Sequence, residues 1–252
     1  MVLALKRDIT YGPVRSRRLG RSLGINLLGG TAKVCTFDCL YCQYGWTPPD
    51  ATSRLEHHEF PAPGDVVSAV EATLSGLDEP PAYLTFSGNG EPTLHPRFGE
   101  VVDGVTALRD RLAPAAHTAV LSNSTRVYDP TVRSALSRLD VRIMKLDAGT
   151  EATFRRFNRP LGGISLAQVL EGLRALGGGT IQTLLAEGPD GNTSAEELHA
   201  WVSAVLSVRP VAVQIYTLAR GYPSERIGPV GPRLLDAIAA RLRALGVAAA
   251  AF

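Results

Sequence analysis

At 252 residues, with 45% hydrophobic and 20% charged positions, the chain has the length of one large or two small domains and the composition of a globular protein. No apolar run approaches the roughly eighteen residues of a membrane span, the cysteine count of three is odd, and no charged-then-apolar leader opens the chain; a membrane protein and a secreted disulfide scaffold are not expected, and a cytoplasmic protein is. Formal net charge is only +2, but residues 1–33 hold seven Lys and Arg against one Asp, so the basic character is local.

That basic stretch, 1–21, leads into a first predicted strand at 22–28. Its Arg15, Arg17, Arg18 and Arg21 either meet phosphates or a carboxylate, for which guanidinium offers a planar fork of donors, or form a solvated basic face. The cysteines follow at 35, 39 and 42, and 47–63, rich in Pro and polar residues, reads as a loop. Beyond it, β-rich runs at 83–87, 118–122, 142–146, 181–185 and 213–217 alternate with helical patterns at 64–75, 98–112, 130–139, 166–176, 195–206 and 233–245. Asp65, Asp129, Ser165 and Ser194 stand near helix starts as caps. An alanine-rich tail, 248–251, is a last strand or a frayed end. Strand–helix alternation predicts a parallel sheet of βα units. Six strands and six helices are two units short of a closed eight-unit barrel, so the predicted fold is α/β, an open partial (β/α)6 TIM-like barrel formed by 1–252 as a single domain.

All three cysteines lie within eight residues, as Cys35-Thr-Phe-Asp-Cys39-Leu-Tyr-Cys42. Three soft thiolates on one short loop can hold an iron–sulfur cluster through three of its irons, leaving one iron open to another ligand. Structural zinc is the rival; a Cys3His site would draw on His57 or His58, fifteen and sixteen residues after Cys42. Cysteines that only pack in a core are not expected at intervals of four and three.

The CxxxCxxC loop resembles the signature of the radical S-adenosylmethionine (radical SAM) superfamily. The match extends to Tyr41, the aromatic residue before the third cysteine, and to Ser87-Gly-Asn-Gly-Glu91-Pro-Thr, which is similar to that superfamily's glycine-rich methionine-binding motif. Residues 11–26 (YGPVRSRRLGRSLGIN) and 33–45 (KVCTFDCLYCQYG) resemble an iron–sulfur oxidoreductase subgroup related to the wyosine tRNA-base synthases. This resemblance implies the partial barrel named above, a 4Fe-4S cluster on Cys35, Cys39 and Cys42, and S-adenosylmethionine as second cofactor. Wyosine synthases carry extra cysteines for a second cluster; this chain has no thiol after Cys42, a departure from that route.

In such barrels chemistry collects where strands end. Gly88 and Gly90, lacking Cβ, let the backbone approach a small ligand, so Gly88, Asn89, Gly90 and Glu91 form the expected cradle for the methionine moiety, with Glu91 accepting from its ammonium; the bland alternative is a simple turn. Ser122 and Asn123 either bond ribose hydroxyls or just end their strand. Lys145 and Asp147, two apart on one strand, face the same way, as site residues or as an ion pair. Glu187 follows the fifth strand, and Tyr216, Thr217 and Arg220 the sixth; Arg220, in Tyr216-Thr-Leu-Ala-Arg220, resembles a late motif of the subgroup and serves S-adenosylmethionine or the substrate. Phe37, Tyr41, Tyr44 and Trp46 wall the cluster, stack on adenine, or merely pack. His95 resembles family wording, with a structural histidine as the alternative.

The activity implied is reductive cleavage of S-adenosylmethionine to a 5′-deoxyadenosyl radical that takes hydrogen from a small-molecule or RNA substrate, with electrons from a flavodoxin- or ferredoxin-type reductant and no membrane partner. The alternatives are an iron–sulfur electron carrier and a zinc-stabilised RNA-binding module.

Overall fold

A computed structural model describes residues 2–48, 50–51, 55 and 58–252; His57, one of the two histidines of the zinc alternative, lies outside the described residues. The chain opens with an antiparallel hairpin, β1 (Thr10–Ser16) and β2 (Gly20–Ile25). Then follow β3 (Tyr83–Phe86), β4 (His117–Ser122), β5 (Val141–Lys145), β6 (Thr180–Leu184), β7 (Ala186–Glu187), β8 (Ala212–Tyr216), β9 (Gly228–Pro229) and β10 (Ala249–Ala251). Helices α1 (Pro63–Ser75), α2 (Phe98–Leu112), α3 (Pro130–Leu136), α4 (Glu151–Thr153), α5 (Leu166–Leu176), α6 (Ala195–Val208) and α7 (Pro232–Ala244) lie between them. The main sheet runs β1-β2-β3-β4-β5-β6-β8-β10, parallel except at the hairpin, with β7 and β9 as a separate ribbon. Its ends, β1 and β10, are not paired with each other, so the barrel is open.

The six predicted strands are β2 to β6 and β8, and the alanine tail is the strand β10. The hairpin differs from expectation: part of the basic stretch is itself strand β1. Gly12-Pro13 reads as a break, because proline cannot donate to a ladder; an edge strand tolerates it, and β1 is the sheet's edge. Tyr11 then lies over Gly24, where a Cβ would come within 2.1 Å of the Tyr11 ring.

Period-two alternation sorts each strand's residues. Leu23, Ile25, Leu84 and Phe86 face outward into a core with Val66 and Val70 of α1 and Val101 and Val105 of α2, each contributing about 1.5–3 kcal/mol on full burial. Ser22, Gly24 and Thr85 face inward and border a cavity.

Helix starts follow local chemistry. Ser165 and Gln168 close a capping box on α5, and the Asp129 and Ser194 side chains accept the N-terminal N–H groups of α3 and α6. Asp65 does not cap α1: the helix begins at Pro63 behind Ala62, and Asp65 lies in the first turn, where it meets the helix dipole.

Candidate active site

The cysteine loop leaves β2 and is stitched down on both sides. On one side Val34 bridges Gly90, with Val34 N donating to Asn89 O at 2.9 Å and Glu91 N to Val34 O at 3.0 Å. On the other, Phe37 bridges Pro160, Leu40 N donates to Phe157 O at 3.1 Å, and Leu161 N to Thr36 O at 2.9 Å. The second seam runs along a π-turn, Phe154–Asn158, that continues α4. Backbone pairing of this kind fixes where the three thiols point.

Gly88 and Gly90 have φ of 134° and 147°, and a Cβ on Gly90 would fall 1.7 Å from Val34 O. Glycine is therefore required here so that the β3 tip can touch the cysteine loop, while both glycines also border the cavity. Asn89 is fully buried: its Nδ2 donates to Lys6 O at 2.7 Å and Gly29 O at 2.6 Å, and its Oδ1 accepts from Lys6 N at 2.8 Å. Its side chain clamps the N-terminal segment instead of facing a ligand.

Glu91 is likewise spent inside the protein. It is 1% exposed; Oε1 accepts from Thr93 N at 3.0 Å, Thr93 Oγ1 at 2.6 Å and Ser122 Oγ at 2.9 Å, and Oε2 from Asn123 N at 2.5 Å. Burial outweighs these four donors and holds its carboxyl above the usual range. The expected acceptor for an ammonium is thus a tie between the β3 and β4 tips, and Ser122 is the other half of that tie. Asn123 turns toward the cysteines, donating through Nδ2 to Cys35 Sγ at 3.4 Å and to Thr36 Oγ1 at 3.0 Å.

Lys145 and Asp147 form the ion pair their spacing allows, Nζ to Oδ1 at 2.7 Å, with Asp147 fully buried. Asp147 also accepts from Tyr41 Oη, from Asn158 Nδ2 at 2.9 Å and from Leu184 N at 2.8 Å. Lys145 donates to Tyr216 Oη at 3.0 Å. A buried chain thus runs Tyr41–Asp147–Lys145–Tyr216, from the residue beside Cys42 to the cavity wall. Burial opposes the charge on Lys145, but Asp147 and Tyr216 outweigh it and raise its pKa; burial is also the main reason the Tyr41 phenol is pushed well up. Both of its phenols, Tyr41 and Tyr216, border the cavity; Lys145 and Asp147 stand behind them.

That interior cavity has a volume of about 410 Å³. Arg220 borders it and donates to Gln43 Oε1 at 3.2 Å. Tyr44 borders it too, whereas Phe37 packs edge-on against Phe154 and Trp46 lies outside under Arg159. Glu187 is exposed on β7 and not at the cavity. His95 Nε2 donates to Pro61 O at 2.8 Å while its Nδ1 accepts from Arg97 N at 3.1 Å, and its ring packs on Phe60, which makes it a loop anchor. A larger, shallower recess of about 580 Å³ borders Trp46, Arg156 and Arg226; Arg226 and Arg156 are already bonded to Asp190 and Gly191 O.

The cysteines' surroundings fit a metal–sulfur cluster. All three are free thiols. Burial pushes Cys35 up to about 11 and raises Cys39 as well, so thiolates persist there only if a metal core shares their charge. N–H donors stand ready for the sulfurs: Asn123 and Phe37 N on Cys35, and Asn158 Nδ2 on Cys39 at 3.6 Å. Buried Lys33 donates to Gly45 O at 2.7 Å, and although burial opposes its charge, the three sulfurs raise its pKa. Among the described residues no three His, Cys, Asp or Glu side chains close on one point, as a lone zinc ion needs, and His58 is bonded to Leu28 O at 3.0 Å. Lys33 and Asn158 carried no sequence signal of this role; Lys33 precedes Cys35 by two, while Asn158 reaches the site only through the fold.

A family model of the radical SAM superfamily matches residues 31–185. The chain belongs to that superfamily. Radical SAM proteins use a 4Fe-4S cluster and S-adenosylmethionine, and Cys35, Cys39 and Cys42 are the residues here that fit such a cluster. Two relatives are both called UPF0026 proteins: MJ1312 of Methanocaldococcus jannaschii, 38% identical over 66% of this chain and 49% of its own length, and slr1464 of Synechocystis sp., 32% identical over 86% and 77%. The chain thus spans about half the length of the first and three quarters of the second. Among solved structures, a radical SAM methyltransferase from Sphaerobacter thermophilus matches with a TM-score of 0.64 at 16% identity, covering 92% of this chain and 65% of that one. TYW1 with a lysine–pyruvate adduct matches at 0.57 and 15%, covering 89% and 73%. At such identities the likeness is one of fold, the open α/β barrel of radical SAM enzymes.

Proposed function

We propose that this radical SAM chain, as a single domain, is a cytoplasmic oxidoreductase that holds one 4Fe-4S cluster on Cys35, Cys39 and Cys42. It binds S-adenosylmethionine along the β3 tip and acts on a small molecule in the interior cavity. When bound and reduced, the cluster supplies the chemistry: cleavage of S-adenosylmethionine to a 5′-deoxyadenosyl radical that takes hydrogen from an unreactive C–H bond. The observation that carries this reading is the cysteine loop pinned between Gly90 and Pro160, with the cavity opening beside it.

The remaining roles belong to the protein's own groups. Gly88 and Gly90 bring main-chain N–H and C=O to the cavity wall for the methionine moiety. Asn123 and Asn158 orient the thiolates and tune the cluster by donating to sulfur. Lys145 and Asp147 position the phenols of Tyr41 and Tyr216, and Arg220 serves a ligand anion. A ferredoxin- or flavodoxin-type protein is the proposed electron source. A pure electron carrier has no use for a polar interior cavity at the strand ends.

The test is anaerobic reconstitution with iron and sulfide, followed by dithionite and S-adenosylmethionine. Charge-transfer absorbance and 5′-deoxyadenosine are expected from the native chain and neither from Cys39→Ala. Equal 5′-deoxyadenosine formation by the variant would sink the assignment.

A further inference from the structure

One wall of the cavity is built from the segment before β1, the β1–β2 hairpin and the segment after β8. It carries Lys6, Arg15, Arg17, Arg18 and Arg220, and no Asp or Glu borders the cavity anywhere among the described residues. Among the described residues none of these five is ion-paired, whereas arginines elsewhere regularly meet carboxylates: Arg21 with Glu79, Arg109 with Asp140, Arg138 with Asp103 and Arg226 with Asp190. Two of the five are held over aromatic rings instead, Arg18 4.4 Å from the Tyr216 ring centre and Lys6 5.0 Å from that of Tyr11, an arrangement that steers a cation without neutralising it.

The two cofactors do not account for this wall. S-adenosylmethionine carries a sulfonium and an ammonium against one carboxylate, so it asks for at most one guanidinium. The cluster's thiolates have their own buried cation in Lys33, which does not border the cavity. Arg17 and Arg220 both lie near enough to act on Arg18: burial first, then these two arginines, lower its pKa, with Tyr216 opposing them. Like charges held together in a concave, partly buried site are relieved by an anion with several oxygens and more than one charge, which a phosphate ester supplies and a single carboxylate does not.

We propose that the hairpin wall, through Arg17, Arg18 and Arg220, binds the phosphate group of a small phosphorylated substrate, whose organic part then lies toward Tyr41, Tyr216 and the cysteine loop. This deepens the radical SAM reading and rests on it for the direction in which the substrate faces. The cavity volume, about 410 Å³, suits a small molecule lying over the cofactor.

Isothermal titration of the reconstituted full chain, saturated with S-adenosylmethionine, tests this with ribose 5-phosphate, glycerol 3-phosphate and a nucleoside monophosphate against ribose, glycerol, the nucleoside and succinate. At least one phosphate ester is expected to bind ten-fold or more tightly than its neutral counterpart and than succinate. Arg17→Gln and Arg18→Gln are each expected to weaken it ten-fold, and Arg21→Gln, on the same hairpin but outside the cavity, to leave it unchanged. Because Arg17 is exposed, its variant keeps the test valid if Arg18→Gln fails to fold. Indifference to phosphate, equal binding of succinate, native affinity in both variants, or binding of an RNA oligonucleotide alone overturns the proposal. Titration repeated on cluster-free Cys39→Ala separates the two readings: phosphate binding there without 5′-deoxyadenosine from the native chain sinks the radical reading alone, and the converse sinks only this one.

Discussion

On the cysteine side of the cavity the ionisable groups answer one another inside the protein, while on the hairpin side the cations border the cavity with no ion-pair partner among the described residues. Glu91 accepts four hydrogen bonds and Asp147 sits among Lys145, Tyr41, Asn158 and Leu184 N. Among the described residues Arg15, Arg17 and Arg18 have no carboxylate partner, and no Asp or Glu borders the cavity beside them. The first arrangement is a frame, in which geometry is over-determined and each removal leaves a buried orphan. The second is a receptor, in which groups cost little to change in the folded state and much to change in a complex.

Substitutions should separate the two walls by the size of their effect on folding. Asp147→Ala leaves Lys145 buried and unpaired and is expected to cost about 3–5 kcal/mol in denaturant unfolding. A Lys145→Met/Asp147→Leu double variant should recover a large part, because the stranded charge is gone. Recovery of little or none would mean that Tyr41 and Asn158, not the ion pair, carry the stability.

Glu91→Gln is expected to cost about 2 kcal/mol, since one amide end now faces donors instead of accepting from them. Its pH dependence has a definite sign. Glu91 is held above its ordinary value of 4.5 chiefly by burial, so the native state binds its proton more tightly than the unfolded chain does. Its contribution to stability is full below pH 4.5 and is lost as pH rises through the raised value. Unfolding free energies measured across that window should slope downward with pH at this site in the native chain, and less so in Glu91→Gln.

Arg17→Gln should change folding stability by less than about 0.5 kcal/mol, as for an exposed residue with no partner; a larger loss would make the hairpin wall part of the frame. A similarly small effect, but one that depends on pH, is expected at the foot of the barrel, where Asp140 accepts from Thr118 N at 2.7 Å and pairs with Arg109 at 2.6 Å. Burial opposes the charge on Asp140, but these partners outweigh it and lower its pKa. The pair contributes above the ordinary aspartate value and fades as pH falls through the depressed one, so Asp140→Asn should cost about 1 kcal/mol or less at neutral pH and nothing in acid, by thermal unfolding.

Much of the frame was legible in the chain. Strand–helix alternation located β2 to β6, β8 and six helices, because burial on one face leaves a period of two or of 3.6 in the sequence. Caps at Asp129, Ser165 and Ser194 were readable because capping is local. Strand β1 was not, since Gly12-Pro13 breaks the pattern and pairing with β2 rescues it. Three site expectations also changed meaning: Asn89, Glu91 and Ser122 stand at the expected strand tips, yet their side chains are bonded to the protein.

The sequence by itself determined what has to lie close together along the chain: the three cysteines at ligand spacing, the glycines that permit a tight strand tip, and the repeated βα unit. Tertiary structure alone decided what each side chain faces. Asn158 meets Cys39 from 119 positions away, and Arg18 reaches Tyr216 across the open barrel, because closure of a curved sheet brings together residues whose separation along the chain carries no signal of contact.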